Sequence, residues 1–146
     1  MKPMFDLSVF DTETAANEGA KLHLLNPKTG LPAYADAKET KPVTITVVGT
    51  DGDVFTKEQQ KQAKVLARKQ KQKGDKAEDF DFDEEKKRTC DLYARMTKSW
   101  ENITLPGDKG QSECTYENAY KLYMSFKDIR LQVSGFMADK ANFIKG

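Results

Sequence analysis

The chain is poor in the side chains that do chemistry near neutral pH. Among 146 residues it has one histidine, His23, and two cysteines, Cys90 and Cys114. The cysteines lack the Cys-x-x-Cys spacing of a zinc or redox site. With nothing pointing to an oxidising compartment, they read as free thiols. His23 lies in a segment of alternating polarity without a neighbouring Cys or Asp to complete a ligand pair, so it reads as an ordinary strand histidine. A dinucleotide glycine fingerprint, a phosphate-binding loop and a His-Glu-x-x-His helix are all missing. No catalytic residue, cofactor or metal is expected, and the chain is read as non-enzymatic. Asp81, Asp83 and Glu84 have the acid density of a calcium loop, but not its glycine at the sixth position or its glutamate at the twelfth.

Long apolar runs are absent too. No window nears the roughly 18 apolar residues a spanning helix requires, and the N-terminus turns acidic at Asp6 without an apolar run before it. A soluble, intracellular protein is the expectation, with no membrane partner. The net charge is +1, from 24 basic and 23 acidic residues, so no overall field draws in nucleic acid or membrane.

What is present is polar but foldable. Hydrophobic residues make up 38% and charged residues 32% of the chain, which implies one domain with a thin core and a solvated remainder. Lys21 to Leu25 alternates, and Asn26-Pro27-Lys28-Thr29-Gly30 supplies a turn, across which Leu31 to Ala35 is expected to pair back. Val43-Thr44-Ile45-Thr46-Val47-Val48 is the strongest strand, β-branched with Val43, Ile45 and Val47 on one face. So few strands need a helix or a partner to cover them.

Helical signals follow. Thr56-Lys57-Glu58-Gln59 has the form of a capping box, with Thr56 as N-cap. From Lys57 to Lys76 run eight basic residues against Glu58 and Asp75, ending near Gly74. The stretch from Glu78 to Glu85 then holds six acids with Phe80 and Phe82, and reads as a flexible acidic linker. Leu92, Tyr93, Met96 and Trp100 line one stripe of a helix expected from Glu84 to Trp100. Thr115 caps another, with Ala119, Leu122, Tyr123 and Phe126 on its apolar face. Ile129, Val133, Phe136 and Met137 form the last stripe, after a kink near Lys127-Asp128 where Asp128 caps.

The fold class is therefore α+β: a small N-terminal antiparallel β-meander of two or three strands with a C-terminal bundle of amphipathic helices. The regions are 1–53 (β-rich), 54–85 (basic helix and acidic linker) and 86–146 (helical), the last forming one compact unit with the first. The expected core is Leu92, Met96, Trp100, Leu122, Val133 and Phe136. Trp100 has a second reading as an exposed anchor for a partner groove.

Two regions carry a family resemblance. The first comprises Phe5-Asp6-Leu7-Ser8, the segment from Thr12 to Gly19 around Ala15-Ala16-Asn17, and Leu24-x-Asn26-Pro27-x-Thr29-Gly30-Leu31-Pro32. The second runs from Trp100 through the Gly107 turn and Tyr116-Glu117-Asn118-Ala119 to Gln132-Val133, Phe136 and Asn142-Phe143. Together they cover rather more than half the chain, and they resemble the tail assembly chaperones of long-tailed bacteriophages. Leu31, where Glu is common in that family, and Gly107-Asp108-Lys109-Gly110 with Cys114-Thr115 are departures that touch local turn geometry.

The resemblance implies a non-enzymatic protein of the host cytoplasm, absent from the mature virion, that binds the tape-measure protein and keeps it soluble. It also implies recruitment of tail-tube subunits, and self-association is open. Candidate partner-binding residues are Phe80 and Phe82, whose surroundings are too acidic for a core strand. Tyr116 and Tyr120, on the flank of the Ala119/Leu122/Tyr123 stripe, and Phe143, near the end of the chain, complete the set. The alternatives are a structural tail-completion protein and a nucleic-acid-binding accessory protein using Lys61, Lys64, Arg68, Lys71 and Lys73. Against nucleic acid, the basic helix holds no aromatic residue, and the acidic block competes for the same lysines.

Overall fold

The computed structural model describes residues 6–73 and 81–144. Three strands form one antiparallel sheet in the order β1 (Ala20–His23), β2 (Thr44–Val47), β3 (Thr97–Glu101). Around it lie α1 (Thr12–Glu18), α2 (Asp53–Lys73), α3 (Phe82–Met96), α4 (Tyr116–Ser125) and α5 (Lys127–Ala138). The class is thus mixed, but the sheet is not N-terminal alone, because its third strand comes from the region expected to be purely helical.

That strand corrects the expected helix from Glu84 to Trp100. Leu92, Met96 and Trp100 satisfy a helical stripe, yet the helix stops at Met96 and Trp100 lies on β3 opposite Ile45. Ile45 and Val47 have no exposed surface, so the outer edge of β2 would leave backbone N–H and C=O groups buried without partners unless a third strand joined it. At the switch, the Thr97 hydroxyl donates back to the Tyr93 carbonyl at 2.8 Å, and the Thr97 N–H bonds the Ala94 carbonyl. A bulge between Thr46 and Val47 leaves Lys98 as the extra residue on β3. Its ammonium donates to the Glu18 carbonyl at the C-terminal end of α1.

Other boundaries moved for equally local reasons. The segment from Leu31 to Ala35 does pair back across the turn, with Asn26 and Leu31 and with Ala33 and Leu24 bonded at 2.8 Å, but only as isolated bridges, Leu25 with Pro32 and Tyr34 with Pro42, where prolines cannot extend a ladder. Helix α1, too short to show a period, is capped by Asp11 and leaves through Gly19 at φ +88°. A β-carbon at Gly19 would lie 2.9 Å from the Val47 carbonyl oxygen. Helix α2 begins at Asp53 and not at Thr56, because Asn17 Oδ1 accepts from the Asp53 N–H at 2.8 Å while the Thr56 hydroxyl donates to the Gly52 carbonyl. Residues 81–85 are not a flexible linker. Asp81 accepts from the N–H groups of Asp83 and Glu84, and the acids after it occupy the first turn of α3, where the helix dipole favours them. That helix runs through the boundary drawn at 85/86. The Gly74 stop and Phe80 lie outside the described residues.

Thr115 caps α4 by accepting from the Asn118 N–H. The break between α4 and α5 falls at Phe126, whose extended backbone leaves its ring partly exposed instead of in the expected stripe. Asp128 does not cap. Its carboxylate accepts from the Gln132 amide, and the end of α4 is closed instead by Arg130, which donates to the Tyr123 carbonyl.

The core lies between the sheet and α3, α4 and α5. Leu92, Met96, Trp100, Leu122 and Val133 are buried there, with Phe136 half-buried against them. The Trp100 indole N–H donates to the Ser112 carbonyl at 2.8 Å, and the Ser112 hydroxyl accepts from the Leu105 N–H, which ties the Pro106-Gly107 turn under the sheet. Trp100→Ala removes the largest ring of the core together with that anchor. The expected cost is about 3–5 kcal/mol, the range for truncating a buried aromatic, out of a total of about 5–15 kcal/mol. Urea denaturation checks it, and a variant that melts within a degree or two of the parent would place Trp100 outside the core.

Candidate functional site

The richest constellation of side chains sits where the root of α2 meets α3 and α4. Glu58 belongs to the inward stripe of α2 with Val54, Gln62 and Val65, and it is buried despite its charge. A buried carboxylate is tolerated only if its lone pairs are met. The Gln62 amide meets one oxygen at 2.8 Å and the Arg95 guanidinium the other at 2.9 Å. Arg95 also bonds Asp91, one turn before it on α3, and Asp91 accepts from the Tyr116 hydroxyl at 2.5 Å. Tyr116 in turn stacks on Tyr120 of α4, with ring centroids 6.2 Å apart. One continuous polar chain therefore joins three helices.

Its electrostatics follow from those contacts. The Gln62 hydrogen bond, followed by Arg95, holds the Glu58 carboxyl below the usual range. Burial works to raise Asp91, but hydrogen bonds from Tyr116 and Arg95 outweigh it and the net shift is downward. The Asp91 carboxylate, in accepting the phenolic proton, pushes Tyr116 upward.

The same helix carries a segregated charge pattern. Lys57, Lys61, Lys64, Arg68 and Lys71 are all exposed and recur at 4-3-4-3 spacing, which confines them to a sector of about 80° at 3.6 residues per turn. Gln60 and Ala67 on the outermost line, and Gln59, Ala63, Leu66 and Gln70 on the far flank, are exposed and uncharged. Successive cations on this ridge are i,i+3 or i,i+4 neighbours. Each such like-charge pair costs about 0.2–0.5 kcal/mol of helix stability.

The expected partner-binding residues do not form one surface. Phe82 is highly exposed at the first position of α3, not on a linker. Tyr116 is exposed and Tyr120 half-buried, and these two do come together. Phe143 is a correction, since it is only 5% exposed. The short 3-10 turn at Lys140–Asn142 folds the chain back, so that Phe143 meets Phe136 edge-on and covers Gly49, where a β-carbon would come within 3.0 Å of the ring. Exposed apolar side chains outside that candidate set include Leu7, Phe10, Leu25, Leu31, Leu66 and Leu131. Leu25 is held beside α5 by both ends of the Gln132 side-chain amide, each at 2.8 Å from its backbone.

Comparison with protein-family models, with curated proteins and with solved structures returns no match.

Among the described residues no helix is long and apolar enough to cross a membrane. Glu58, Asp91 and Arg95 were not singled out from sequence. The available signal was Glu58's place at i+4 from Val54 and i−4 from Gln62 on the inward stripe, but its partner lies on another helix.

Both carboxyls titrate lower in the folded than in the unfolded chain. Their contribution is complete above the unfolded value of about 4 and is lost as pH falls from there through the folded values. Arg95→Met should cost about 1–2 kcal/mol at neutral pH, because it strips one partner from a buried carboxylate while Arg95 itself is partly exposed. Denaturation midpoints for parent and variant should converge as the pH is lowered below about 4. A gap that stays constant across that range would mean that Arg95 acts through packing and not through charge.

Proposed function

We propose that this protein is a tail assembly chaperone of a long-tailed bacteriophage. It binds the tape-measure protein, keeps it soluble in the host cytoplasm and helps recruit tail-tube subunits, and it is absent from the finished virion. The reading rests on the two resembling regions of the sequence, and one structural observation supports treating them as a unit. Although far apart in the chain, they pack on each other. Gln132 of the second clips Leu25 of the first, and Phe143 of the second shares the space over Gly49 with Ala16 of the first.

The surface is compatible with holding a long amphipathic client. Exposed aromatic and aliphatic groups are dispersed over different elements and set among charges, which lets a chaperone offer many weak contacts while staying soluble. The Tyr116–Tyr120 stack beside Arg95 has the residue types that dominate binding hot spots.

Co-expression with the tape-measure protein of the same phage should convert that client from insoluble to soluble and yield an isolable complex. Phe82→Ala or Tyr116→Ala alone should weaken the complex only two- to threefold, on the order of 0.5 kcal/mol. Combined, they should weaken it about tenfold, or 1.4 kcal/mol. The proposal is lost if the client stays insoluble, or if mass spectrometry finds the protein at stoichiometric levels in purified virions, which would make it a structural tail component.

A further inference from the structure

The cationic ridge of α2 is not what a helix charged merely for solubility displays. Such a helix spreads its lysines over its solvent-facing arc, whereas here five of the seven cations of α2 share one sector, the outermost line is neutral, and Lys69 is half-buried on the inward side. From Lys57 onward the one carboxylate of the described helix, Glu58, is turned inward and closed off by Gln62 and Arg95, so it does not interrupt the row. Lys61 lies close enough to Glu58 and Asp91 to stabilise both carboxylates. The ridge therefore borders the junction at which Tyr116 and Tyr120 stack. Its repulsion is an unfavourable feature of the isolated protein that an anionic partner would relieve.

We propose that this ridge, with the tyrosine pair at its root, is a docking surface for an acidic amphipathic α-helix of a partner protein, laid along α2. Charge complementarity selects an anion, and the pitch selects a helix. A row repeating every 3.5 residues is the stripe that a second helix crossing at about 20° follows. Carboxylates at i, i+4, i+7, i+11 and i+14 would stay in step with the five cations from Lys57 to Lys71, 14 steps or about 21 Å of helix. A nucleic-acid strand meets the same cations but gains less at the aromatic end. There the tyrosine rings already face each other, and the Tyr116 hydroxyl is held by a carboxylate. The surface stands on its own geometry; only the identification of its occupant with the tape-measure protein rests on the chaperone reading.

The test uses the full chain and a synthetic helical peptide of about 20 residues, with Glu at i, i+4, i+7 and i+11 on one face and Leu beside it. A counterpart with Gln at the same positions and a single-stranded oligonucleotide complete the set. By fluorescence anisotropy at about 150 mM salt, the Glu peptide should bind at least tenfold tighter than the Gln peptide, and its affinity should fall steeply as salt is raised. Lys64→Glu with Arg68→Glu and Lys71→Glu, which leaves Lys61 beside the Glu58 and Asp91 carboxylates, should abolish that preference while circular dichroism shows the fold retained. Lys64→Gln with Arg68→Gln, a milder change, should reduce it. Equal binding of the two peptides, a preference that survives charge reversal, or tighter binding of the oligonucleotide would overturn the proposal. The two readings fail separately. If the charge-reversed protein still solubilises the tape-measure client, the ridge is not the client site and the chaperone function stands. If the parent protein cannot solubilise the client but prefers the Glu peptide, the ridge stands and the chaperone function does not.

Discussion

Tyr123 is the side chain on which the helical and sheet layers close. It is fully buried on α4, and its ring meets Tyr93 of α3 edge-on at 5.8 Å. A buried phenol must find a hydrogen-bond partner or forfeit its solvation, and this one finds the Thr97 hydroxyl at 2.6 Å. Because Thr97 already donates its proton to the Tyr93 carbonyl, the phenol is the donor in that pair. Thr97 is thus held from both sides at the residue where α3 gives way to β3. Burial is the main cause pushing the Tyr123 phenol well above its ordinary value, so it keeps the proton it donates. From this junction follow the place of Trp100 in the sheet, the pairing of β2 on both edges and the anchoring of the Pro106-Gly107 turn.

The two ends of the described chain close on the same core from the other side. Helix α1 hands its Asn17 side chain to the start of α2, and its Ala16 carbonyl accepts from the Gly49 N–H. Phe143 then covers that glycine. The start of α2 is therefore fixed by a segment more than thirty residues earlier, and its axis by the Glu58–Arg95 pair little more than one turn along. Beyond Val65 the helix offers its neighbours few apolar groups, and Leu66 faces solvent. A long helix anchored at its root, with most of its charge on one flank, follows from that division, and the proposed docking surface lies on it.

The polar network at that root is a device for joining helices that lack apolar contact area. Hydrophobic burial is non-directional and would let α2 slide on α3, whereas the Glu58–Arg95 pair fixes one register. Asp91 extends the same register to α4 through Tyr116. The ring pair Tyr116–Tyr120 is thereby positioned at the edge of the cationic ridge, and the neighbouring charges that keep it soluble also orient it.

Local chemistry was legible where a single residue decides a local outcome. Thr115 as a helix cap, the β-branched run at Val43 to Val48, and the apolar stripes of α3, α4 and α5 are all set by neighbours within a turn or a pleat. The sequence by itself thus determined the mixed class, the main helices and most of the core. Other questions were decided between segments distant in the chain. Leu92, Met96 and Trp100 fit a helix and a helix-to-strand switch equally well, and only the unpaired edge of a buried β2 selects the switch. Phe143 reads as a free end until a glycine ninety-four positions earlier leaves space for its ring. Glu58 reads as one more surface charge until Arg95 is brought to it from another helix. Tertiary structure settled each of these, because burying a backbone edge, a ring or a charge depends on partners that sequence spacing does not bring near.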